Sequence, residues 1–300
     1  MVLLSGASGI VGTALRQALD ARNVEVLQLV RRDPLKSGQL KWDPAALTPI
    51  GNTKPLEGLL AAIHLSGASI AARRWTPAYK RALWASRVES TRALATVLAT
   101  LSQPPPTLLV ASSTGFYGSR SDELLDENSS PGTGFLADLC REWESAAQPA
   151  GKAGMRVVHL RFGVVLGSGG ALAKMLPLFR LGLGGRLGSG RQWMSWISLA
   201  DAIAAILFAL DTPALAGPVN LTAPHPVTNA EFTNALGRAL HRPTIFPVPA
   251  FALRLAVGSM ADEALLASER AFPSRLTTAG FQFTHSTVDQ ALAAALARSR

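Results

Sequence analysis

The sequence predicts an α/β protein, in which helices cover a doubly wound parallel sheet and a small, mostly helical lobe follows. Three observations support this prediction. A glycine-rich turn joins the first apolar strand to the first helix within residues 2–19. Short apolar strands then alternate with helices up to about residue 221. Beyond Thr222 prolines become frequent and amphipathic helices replace the strands.

The first strand, turn and helix have the spacing G-x-x-G-x-x-G, from Gly6 through Gly9 to Gly12. In such a turn Gly6 lets the chain bend sharply, Gly9 lets the backbone approach a pyrophosphate, and Gly12 lets the helix pack on the strand. The helix N-terminus then offers free N–H groups to the phosphates. Glycines alone are a weak signal, so the strand–turn–helix–strand context of residues 2–30 carries the prediction of a Rossmann-like nucleotide site; an ordinary strand-to-helix turn is the alternative.

Two arginines end the second strand, where NAD and NADP sites differ. NAD sites usually place an acidic residue there to hold the ribose 2′-hydroxyl, whereas NADP sites place an arginine. Arg31 and Arg32 can bind a 2′-phosphate through charge-assisted, bidentate hydrogen bonds, while Asp33 comes late to serve the hydroxyl. The sequence therefore favours NADP over NAD; the alternative is that both arginines belong to a solvated loop.

The later elements follow the same alternation. Buried strands are predicted at 61–65, 107–111, 155–161 and 219–221, and their carboxyl ends should line a ligand crevice. The helices are predicted at 79–101, 135–147, 172–181, 199–210, 229–240, 251–260, 261–272 and 288–297. We expect a cofactor-binding domain over residues 1–221, in which 167–195 contribute to the substrate crevice, and a small C-terminal domain over 222–300.

Composition limits the class of protein and its partners. The 300 residues carry a formal net charge of +9, which suits anionic ligands, but no basic run has interleaved aromatics, so nucleic-acid binding is not expected. Cys140 is the only cysteine, so no intrachain disulfide can form. No signal peptide and no apolar stretch of the ~18 residues needed to span a bilayer is evident, and we expect no membrane association and a cytoplasmic location.

Several motifs point to one family. Residues 112–118 read Ser-Ser-Thr-Gly-Phe-Tyr-Gly after a buried strand, as in the extended short-chain dehydrogenases, the nucleotide-sugar epimerases and dehydratases. More specific matches lie at 64–68, 74–75, 86–91, 160–167, 188–190, 196–197, 220–224 and 280–283. Together they resemble one branch, the SulA-related epimerase-family proteins, which carry a small C-terminal domain of unknown function and include plastid and cyanobacterial proteins linked to cell division.

The resemblance implies a Rossmann fold that binds NADP and a small-molecule substrate whose identity is not settled. Extended members are often dimers through two long helices, so a homodimer through 79–101 and 135–147 is a possible assembly. The motifs and the resemblance together predict that the cofactor contacts Gly6, Ser8, Gly9, Ile10, Val11, Gly12, Arg31, Arg32, Leu65, Ser66, Gly67, Arg87 and Val165.

The catalytic pair of this superfamily is absent. Its members use a tyrosine as acid/base and a lysine one helical turn later, but those positions hold Phe135 and Leu139. Ser113 matches the substrate-orienting serine, with a hydrogen-bonded strand-end serine as the alternative. Tyr117 and Asp138 are candidate replacement acids or bases; the alternatives are a packed loop tyrosine and a solvated or capping carboxylate.

Other reactive residues have an ordinary structural explanation beside a functional one. His64 is expected to be satisfied by backbone rather than catalytic, and Cys140 to be a small apolar filler. Trp75, Trp193 and Trp196 can wall a substrate pocket or fill the core. No histidines stand at metal-ligand spacing, so no metal site is expected.

Two functions remain open from the sequence. The first is an NADP-dependent oxidoreductase or epimerase that acts on a small polar or nucleotide-linked substrate with an altered acid–base set. The second is a nucleotide-binding protein with little or no turnover, such as a cell-division regulator or a redox-sensing scaffold. The cofactor motifs support both equally, and the missing pair favours the second function or an unusual chemistry.

Overall fold

The computed structural model describes residues 1–297, and its centre is a seven-stranded parallel sheet. In chain order the strands are β1 (Val2–Ser5), β2 (Val26–Val30), β3 (Gln39–Lys41), β4 (Ala61–His64), β5 (Thr107–Ser113), β6 (Leu124–Leu125), β7 (Arg156–Phe162), β8 (Val164–Leu166), β9 (Trp193–Met194), β10 (Trp196–Ser198), β11 (Gly217–Leu221), β12 (Val227–Thr228) and β13 (Arg270–Ala271). The order across the large sheet is β11-β7-β5-β4-β1-β2-β3.

The helices are α1 (Ile10–Ala21), α2 (Pro77–Trp84), α3 (Ser90–Ala99), α4 (Phe135–Ser145), α5 (Gln148–Lys152), α6 (Gly170–Arg180), α7 (Leu199–Asp211), α8 (Asn229–Leu240), α9 (Ala250–Val257), α10 (Ser274–Thr278) and α11 (Val288–Ala297). They cover both faces of the sheet. Successive strand residues point to opposite sides, and the apolar side chains on each side are buried under helices. Leu3 belongs to the core shared with α3 and α4, whereas its neighbour Leu4 belongs to the core shared with α1 and α7.

The strand order confirms the predicted Rossmann-like α/β fold. From β1 the chain adds β2 and β3 on one side and then returns to add β4, β5, β7 and β11 on the other. The order therefore reverses beside β1, between β1 and β4. In open α/β sheets, ligands bind in the crevice outside the carboxyl ends of the strands at such a reversal. The division into residues 1–221 and 222–300 stays a prediction.

The long helix expected over 79–101 contains a π-helical turn. Helix α2 runs into the turn at Ala85–Glu89, and α3 continues from Ser90. The Ser90 hydroxyl donates to the carbonyl oxygen of Ser86 at 2.8 Å, which supplies a side-chain partner inside the turn. The turn overlaps the largely polar stretch at 86–91, Ser-Arg-Val-Glu-Ser-Thr, and π-helical turns are frequent at functional sites.

The lobe differs from the sequence prediction in one place. A helix over 261–272 is wrong: a π-helical turn covers only Ala261–Leu265, and β13 then pairs in parallel with β6. The pairing draws the segment after Leu265 toward the end of β5. Elsewhere the lobe is helical, and α8 and α11 share a core with α6 and the fully buried Trp196.

No helix within residues 1–297 combines the length and apolar character that crossing a bilayer requires. In the same part of the chain, no three His, Cys, Asp or Glu side chains are grouped so that they could hold a metal ion.

Candidate functional site

The glycine turn is packed too tightly for side chains at two of its positions. Gly6 has φ of +73°, and a Cβ there would lie 2.6 Å from the carbonyl group of Leu65. A Cβ on Gly12 would lie 2.2 Å from the carbonyl oxygen of Gly6. The absence of a side chain at these positions therefore lets α1 pack against the end of β1 and the end of β1 against the loop after β4.

Gly9 is different, because it faces open space. The nearest atom to a Cβ placed there is the Gly6 carbonyl oxygen, at 3.5 Å. Gly9 is the N-cap of α1 and no side chain caps the helix, so the N–H groups of its first turn have no side-chain partner. A Cβ placed on Gly167 or Gly169 would lie 3.0 or 3.2 Å from the Ile10 side chain, so the segment after β8 packs closely against the first turn of α1. Ser8 is exposed beside Gly9, and Val11 is half-buried at the first turn.

The two arginines lie at the same edge of the sheet as the turn. Residue Ser5 is paired with Leu29, which brings Arg31 close to Gly6 in register. Arg31 and Arg32 are exposed, and within residues 1–297 neither guanidinium group forms an ion pair. Asp33 pairs with Lys41 at 2.5 Å instead.

Lys41 forms an ion pair with the Asp33 carboxylate. Its hydrogen bond and its charge lower the pKa of that carboxyl group below the usual range. The end of β2 therefore offers unpaired positive charge and no free carboxylate, which suits a phosphate better than a hydroxyl group.

Arg87 braces the loop after β4. Its guanidinium group donates to the Ala68 carbonyl oxygen at 2.8 Å and lies over the Trp143 ring, with 5.2 Å from Cζ to the ring centroid. It also lies 3.3 Å from the position of a Cβ on Gly67. Arg87 thus holds the backbone at Gly67 and Ala68, and burial lowers the pKa of the guanidinium group. Direct contact of Arg87, Leu65, Ser66 or Val165 with a cofactor stays a prediction.

His64 lies inside the protein and not in the crevice. It is completely buried, its Nδ1 is 2.6 Å from the Ser5 Oγ, and its Nε2 is 3.4 Å from the Ser90 Oγ. The expected backbone partners are wrong, because both ring nitrogens face side-chain hydroxyl groups. Burial lowers the pKa of His64 to about 4.

We expect His64 to make stability pH-dependent. Unfolded histidine has a pKa of about 6.5, so between pH 6.5 and 4 the unfolded chain binds a proton that the folded chain excludes. Stability from this group is complete above pH 6.5 and is lost as pH falls toward 4, by about 3 kcal/mol. Urea unfolding of the wild type and of His64→Gln across this range isolates the effect, and a constant difference between the two would contradict it.

Ser113 is the last residue of β5 and lies at the crevice. Its backbone is extended, and its Oγ accepts a hydrogen bond from the N–H of Gly115 at 3.1 Å. The side chain is half-buried and keeps its hydroxyl hydrogen free to orient a ligand. Both explanations offered for this serine are therefore compatible with the structure.

The absent pair has been replaced by apolar packing. Phe135 begins α4 and meets the edge of Trp75, with ring centroids 5.4 Å apart. Leu139 is 1% exposed in the core below. A cation does lie near this position, because the Lys80 Nζ is 4.6 Å from the Phe135 ring centroid and 3.9 Å from Glu263.

The structure corrects the proposed role of Tyr117. Its side chain is 0% exposed, its hydroxyl donates to the Asn220 Oδ1 at 2.7 Å, and it accepts from Arg161 at 3.0 Å. Burial raises the pKa of Tyr117 to about 12. A phenol that is enclosed and doubly bonded has no route for exchanging a proton with a substrate, so Tyr117 is a structural residue.

Asp138 is also displaced from the chemistry. Its carboxylate is half exposed on the outer side of α4 and pairs with Arg141 at 3.1 Å. The neighbours that point inward from the same helix are Ala137, Leu139 and Cys140. The alternative explanation, a solvated carboxylate, is therefore the one that the position of Asp138 supports.

Two further expectations are resolved by burial. Trp196 is completely buried and Trp75 is 7% exposed, so both fill the core, while Trp193 is half-buried and stacks with Arg270 at 4.3 Å. The Cys140 thiol is buried, and burial is the main cause that raises its pKa to about 12. It is therefore a packed, unreactive group.

One carboxyl group near the end of β5 was not predicted. The Glu269 Oε2 accepts a hydrogen bond from the Thr114 Oγ1 at 2.6 Å, across 155 positions of sequence. Burial raises the pKa of Glu269 to about 7, and the Thr114 hydrogen bond opposes that rise. No local pattern marks Glu269, because its partner becomes known only once β13 is paired with β6.

Comparison with known proteins agrees with this architecture. Residues 2–221 match the NAD dependent epimerase/dehydratase family, and residues 248–295 match a domain of unknown function (DUF1731). Epimerase family protein Mb2239 of Mycobacterium bovis is 50% identical and covers 99% of this chain and 98% of its own. A chloroplastic SDR39U1 homolog of Arabidopsis thaliana is 37% identical over 98% of this chain and 86% of its own length.

A solved structure extends the similarity to three dimensions. The crystal structure of human epimerase family protein SDR39U1 (isoform2) with NADPH is 34% identical, with a TM-score of 0.90 over 98% of both chains. The family expected from the motifs is thus confirmed by sequence and by fold. The chain belongs to the NAD-dependent epimerase/dehydratase family.

Proposed function

We propose that the protein binds NADP(H) in the crevice outside β1 and β4 and uses it for oxidoreduction of a small polar substrate, which can be nucleotide-linked. The single observation that carries the proposal is the uncapped N-terminus of α1 at Gly9, set beside the unpaired Arg31 and Arg32. The first offers N–H donors to a pyrophosphate and the second offers cations to a 2′-phosphate. The human relative with NADPH supports the same cofactor.

Each part of the crevice has a task in this proposal. Gly6–Gly12 hold the pyrophosphate, and Arg31 with Arg32 hold the phosphorylated ribose. The loop from Leu65 to Gly67, braced by Arg87, supports the nicotinamide half together with Val165, which packs against the same apolar core as Leu65. Bound there, the nicotinamide supplies or accepts a hydride. Ser113 orients the substrate oxygen at the end of β5.

The cofactor preference gives the first test. We expect the double variant Arg31→Ala/Arg32→Ala to weaken NADPH binding about 100-fold, because charge-assisted hydrogen bonds to the 2′-phosphate are lost. NADH lacks that phosphate, so its affinity should stay within about threefold. Fluorescence titration with each nucleotide measures both affinities.

A matched control separates a local effect from net charge. Arg238 and Arg254 are exposed and pair with Asp289 and Asp262 on the lobe. Arg238→Ala/Arg254→Ala removes the same charge and should leave both affinities unchanged. If Arg31→Ala/Arg32→Ala weakens NADH and NADPH equally, the 2′-phosphate is not bound at these arginines.

A second function stays possible because Phe135 and Leu139 occupy the positions of the acid–base pair. The protein would then bind NADPH with little turnover, as a SulA-like regulator linked to cell division or as a redox-sensing scaffold. Assaying NADPH oxidation against a panel of sugar nucleotides, aldehydes and ketones separates the two. Turnover supports the first function, and tight binding without turnover across the panel supports the second.

The assembly and its partners are part of the same proposal. We expect a small-molecule substrate and no nucleic-acid or membrane partner. A homodimer through α2, α3 and α4 is the assembly that extended members of the family suggest, and sedimentation equilibrium tests it. A cytoplasmic location stays an expectation.

A further inference from the structure

Phe135 and Leu139 stand where the superfamily has its tyrosine and lysine, so the proposed reaction lacks a proton donor at those positions. One carboxyl group near the end of β5, that of Glu269, has no role in the site described above. Glu269 comes from the lobe, in the segment between the π-helical turn and β13. Its backbone is held on both sides, since its N–H donates to the Trp193 carbonyl oxygen at 3.1 Å and its own carbonyl oxygen accepts from the Ser195 Oγ at 2.7 Å. The side chain is thereby directed at the Rossmann-like domain.

The Glu269 carboxyl group meets Thr114, the residue directly after Ser113. The Thr114 Oγ1 donates to Oε2 at 2.6 Å, and no hydrogen bond within residues 1–297 engages Oε1. The Oε1 atom is not fully buried, and the Glu269 residue as a whole is half-buried. One oxygen is therefore fixed by the protein next to the end of β5, while the other has no hydrogen-bond partner within residues 1–297.

We infer that Glu269 is the general acid/base of the proposed reaction, with Thr114 as its positioning residue. This inference rests on the proposed function. In the reducing direction, the substrate carbonyl carbon gains a hydride from the nicotinamide, its oxygen takes the proton of the Glu269 carboxyl group, and Glu269 is left as a carboxylate. In the oxidising direction, the carboxylate takes the hydroxyl proton of the substrate while the hydride returns to the oxidised dinucleotide.

The surroundings of Glu269 suit this role. An acid/base works best when its pKa lies near the working pH, and burial holds the pKa of Glu269 at about 7. The Thr114 hydroxyl group stabilises the carboxylate that forms when the proton leaves. In the short-chain dehydrogenases that the motifs resemble, a tyrosine–lysine pair moves this proton, so Glu269 on the lobe performs a task for which α4 carries no suitable residue.

The titratable groups around Glu269 are few. From α4 the Cys140 thiol faces it, and beyond that the Glu144–Arg161 ion pair is buried. From its own segment, Arg270 turns away to stack on Trp193, and Asp122 is bonded to the Nε1 of that tryptophan at 2.8 Å. Within residues 1–297, Thr114 is the side chain that hydrogen-bonds the Glu269 carboxyl group, and neither Arg161 nor Arg270 forms an ion pair with it.

The first test does not depend on turnover. In protein carrying ¹³C-labelled glutamate, the carboxyl resonance that disappears in Glu269→Gln should titrate with a midpoint near 7. Thr114→Val removes the hydrogen bond that stabilises the carboxylate and should raise that midpoint further. A midpoint in the ordinary range for glutamate, near 4.3, would overturn the inference.

The second test uses the reaction. Glu269→Gln keeps the size of the side chain and its bond to Thr114, so folding and NADPH affinity should match the wild type. With a carbonyl substrate from the panel, kcat should fall about 100-fold or more, and the pH dependence near 7 should vanish. Glu123→Gln is the control, because Glu123 is exposed and pairs with Arg120.

The outcomes separate the two proposals. An active wild type whose Glu269→Gln variant keeps its kcat and its pH profile overturns the role of Glu269 and leaves the proposed function intact. A wild type that binds NADPH but turns over nothing in the panel overturns turnover itself, and the acid/base role falls with it. A loss of folding in Glu269→Gln, measured by urea unfolding, shows a structural role instead and also overturns the inference.

Discussion

Gly12→Ala is expected to destabilise the protein by about 3 kcal/mol and to abolish measurable NADPH binding. The added Cβ would lie 2.2 Å from the Gly6 carbonyl oxygen and 2.9 Å from the Ala7 Cα. Both neighbours are backbone atoms, so no side chain can rotate away. Helix α1 must shift off β1, and its N-terminus then no longer points into the crevice. Urea unfolding measures the stability loss, and fluorescence titration measures NADPH binding.

Gly9→Ala is the matched comparison, because it adds the same methyl group three residues earlier. Gly9 has φ of −74° and its Cβ would meet only the Gly6 carbonyl oxygen at 3.5 Å. Stability should fall by at most about 1 kcal/mol, the cost of alanine at an N-cap. NADPH affinity should still fall at least about tenfold, because the methyl group occupies the space in which a pyrophosphate approaches the backbone.

The two variants therefore test different statements. Wild-type stability in Gly12→Ala would contradict the tight packing of α1 on the turn. Wild-type affinity in Gly9→Ala would contradict the position of the pyrophosphate while leaving the fold untouched. A result in which both variants lose only stability would mean that the glycines serve the strand–helix turn and nothing more.

Arg161→Met is expected to cost about 3–5 kcal/mol of stability, because it leaves a buried carboxylate without its partner. Arg161 is 3% exposed and binds both oxygens of Glu144, at 2.8 and 2.9 Å. Its guanidinium group also lies 3.6 Å from the Phe116 ring centroid and donates to the Tyr117 hydroxyl. After the substitution, Glu144 would retain the Ser112 hydroxyl at 2.7 Å as its hydrogen-bond partner.

Removing both charges should be far less damaging than removing one. We expect Arg161→Met/Glu144→Leu to recover at least about 2 kcal/mol of the loss, because no buried charge remains unpaired. Urea unfolding of the two single variants and the double variant forms a double-mutant cycle. If the double variant loses the sum of the two single losses, the ion pair contributes nothing beyond packing.

This ion pair also bears on the two explanations that the sequence left open for Tyr117. A tyrosine four residues after Ser113 is a candidate acid, and a packed loop tyrosine is the alternative that the sequence also allows. The structure rejects it because Arg161 on β7 and Asn220 on β11 enclose its hydroxyl group, 44 and 103 positions away in sequence. Asp138 shows the same dependence on tertiary contacts, since which side of α4 faces solvent is decided by what packs against the helix.

The sequence by itself determined the features that depend on neighbours in the chain. Local patterns include the glycines at 6, 9 and 12, the apolar strands and the arginines that end β2, and the structure places each of them as the pattern indicates. These patterns depend on backbone conformational freedom, helix capping and the alternation of side chains along a strand, and each of these acts over only a few residues.

Only the tertiary structure decided which distant groups share a site. The helix predicted over 261–272 ends at Leu265, and β13 pairs instead with β6. The pairing brings Glu269 to Thr114 and changes the environment of its carboxyl group. Burial and hydrogen bonding set the protonation state of a side chain, and both arise from contacts that form when the chain closes on itself, so no stretch of sequence holds that information.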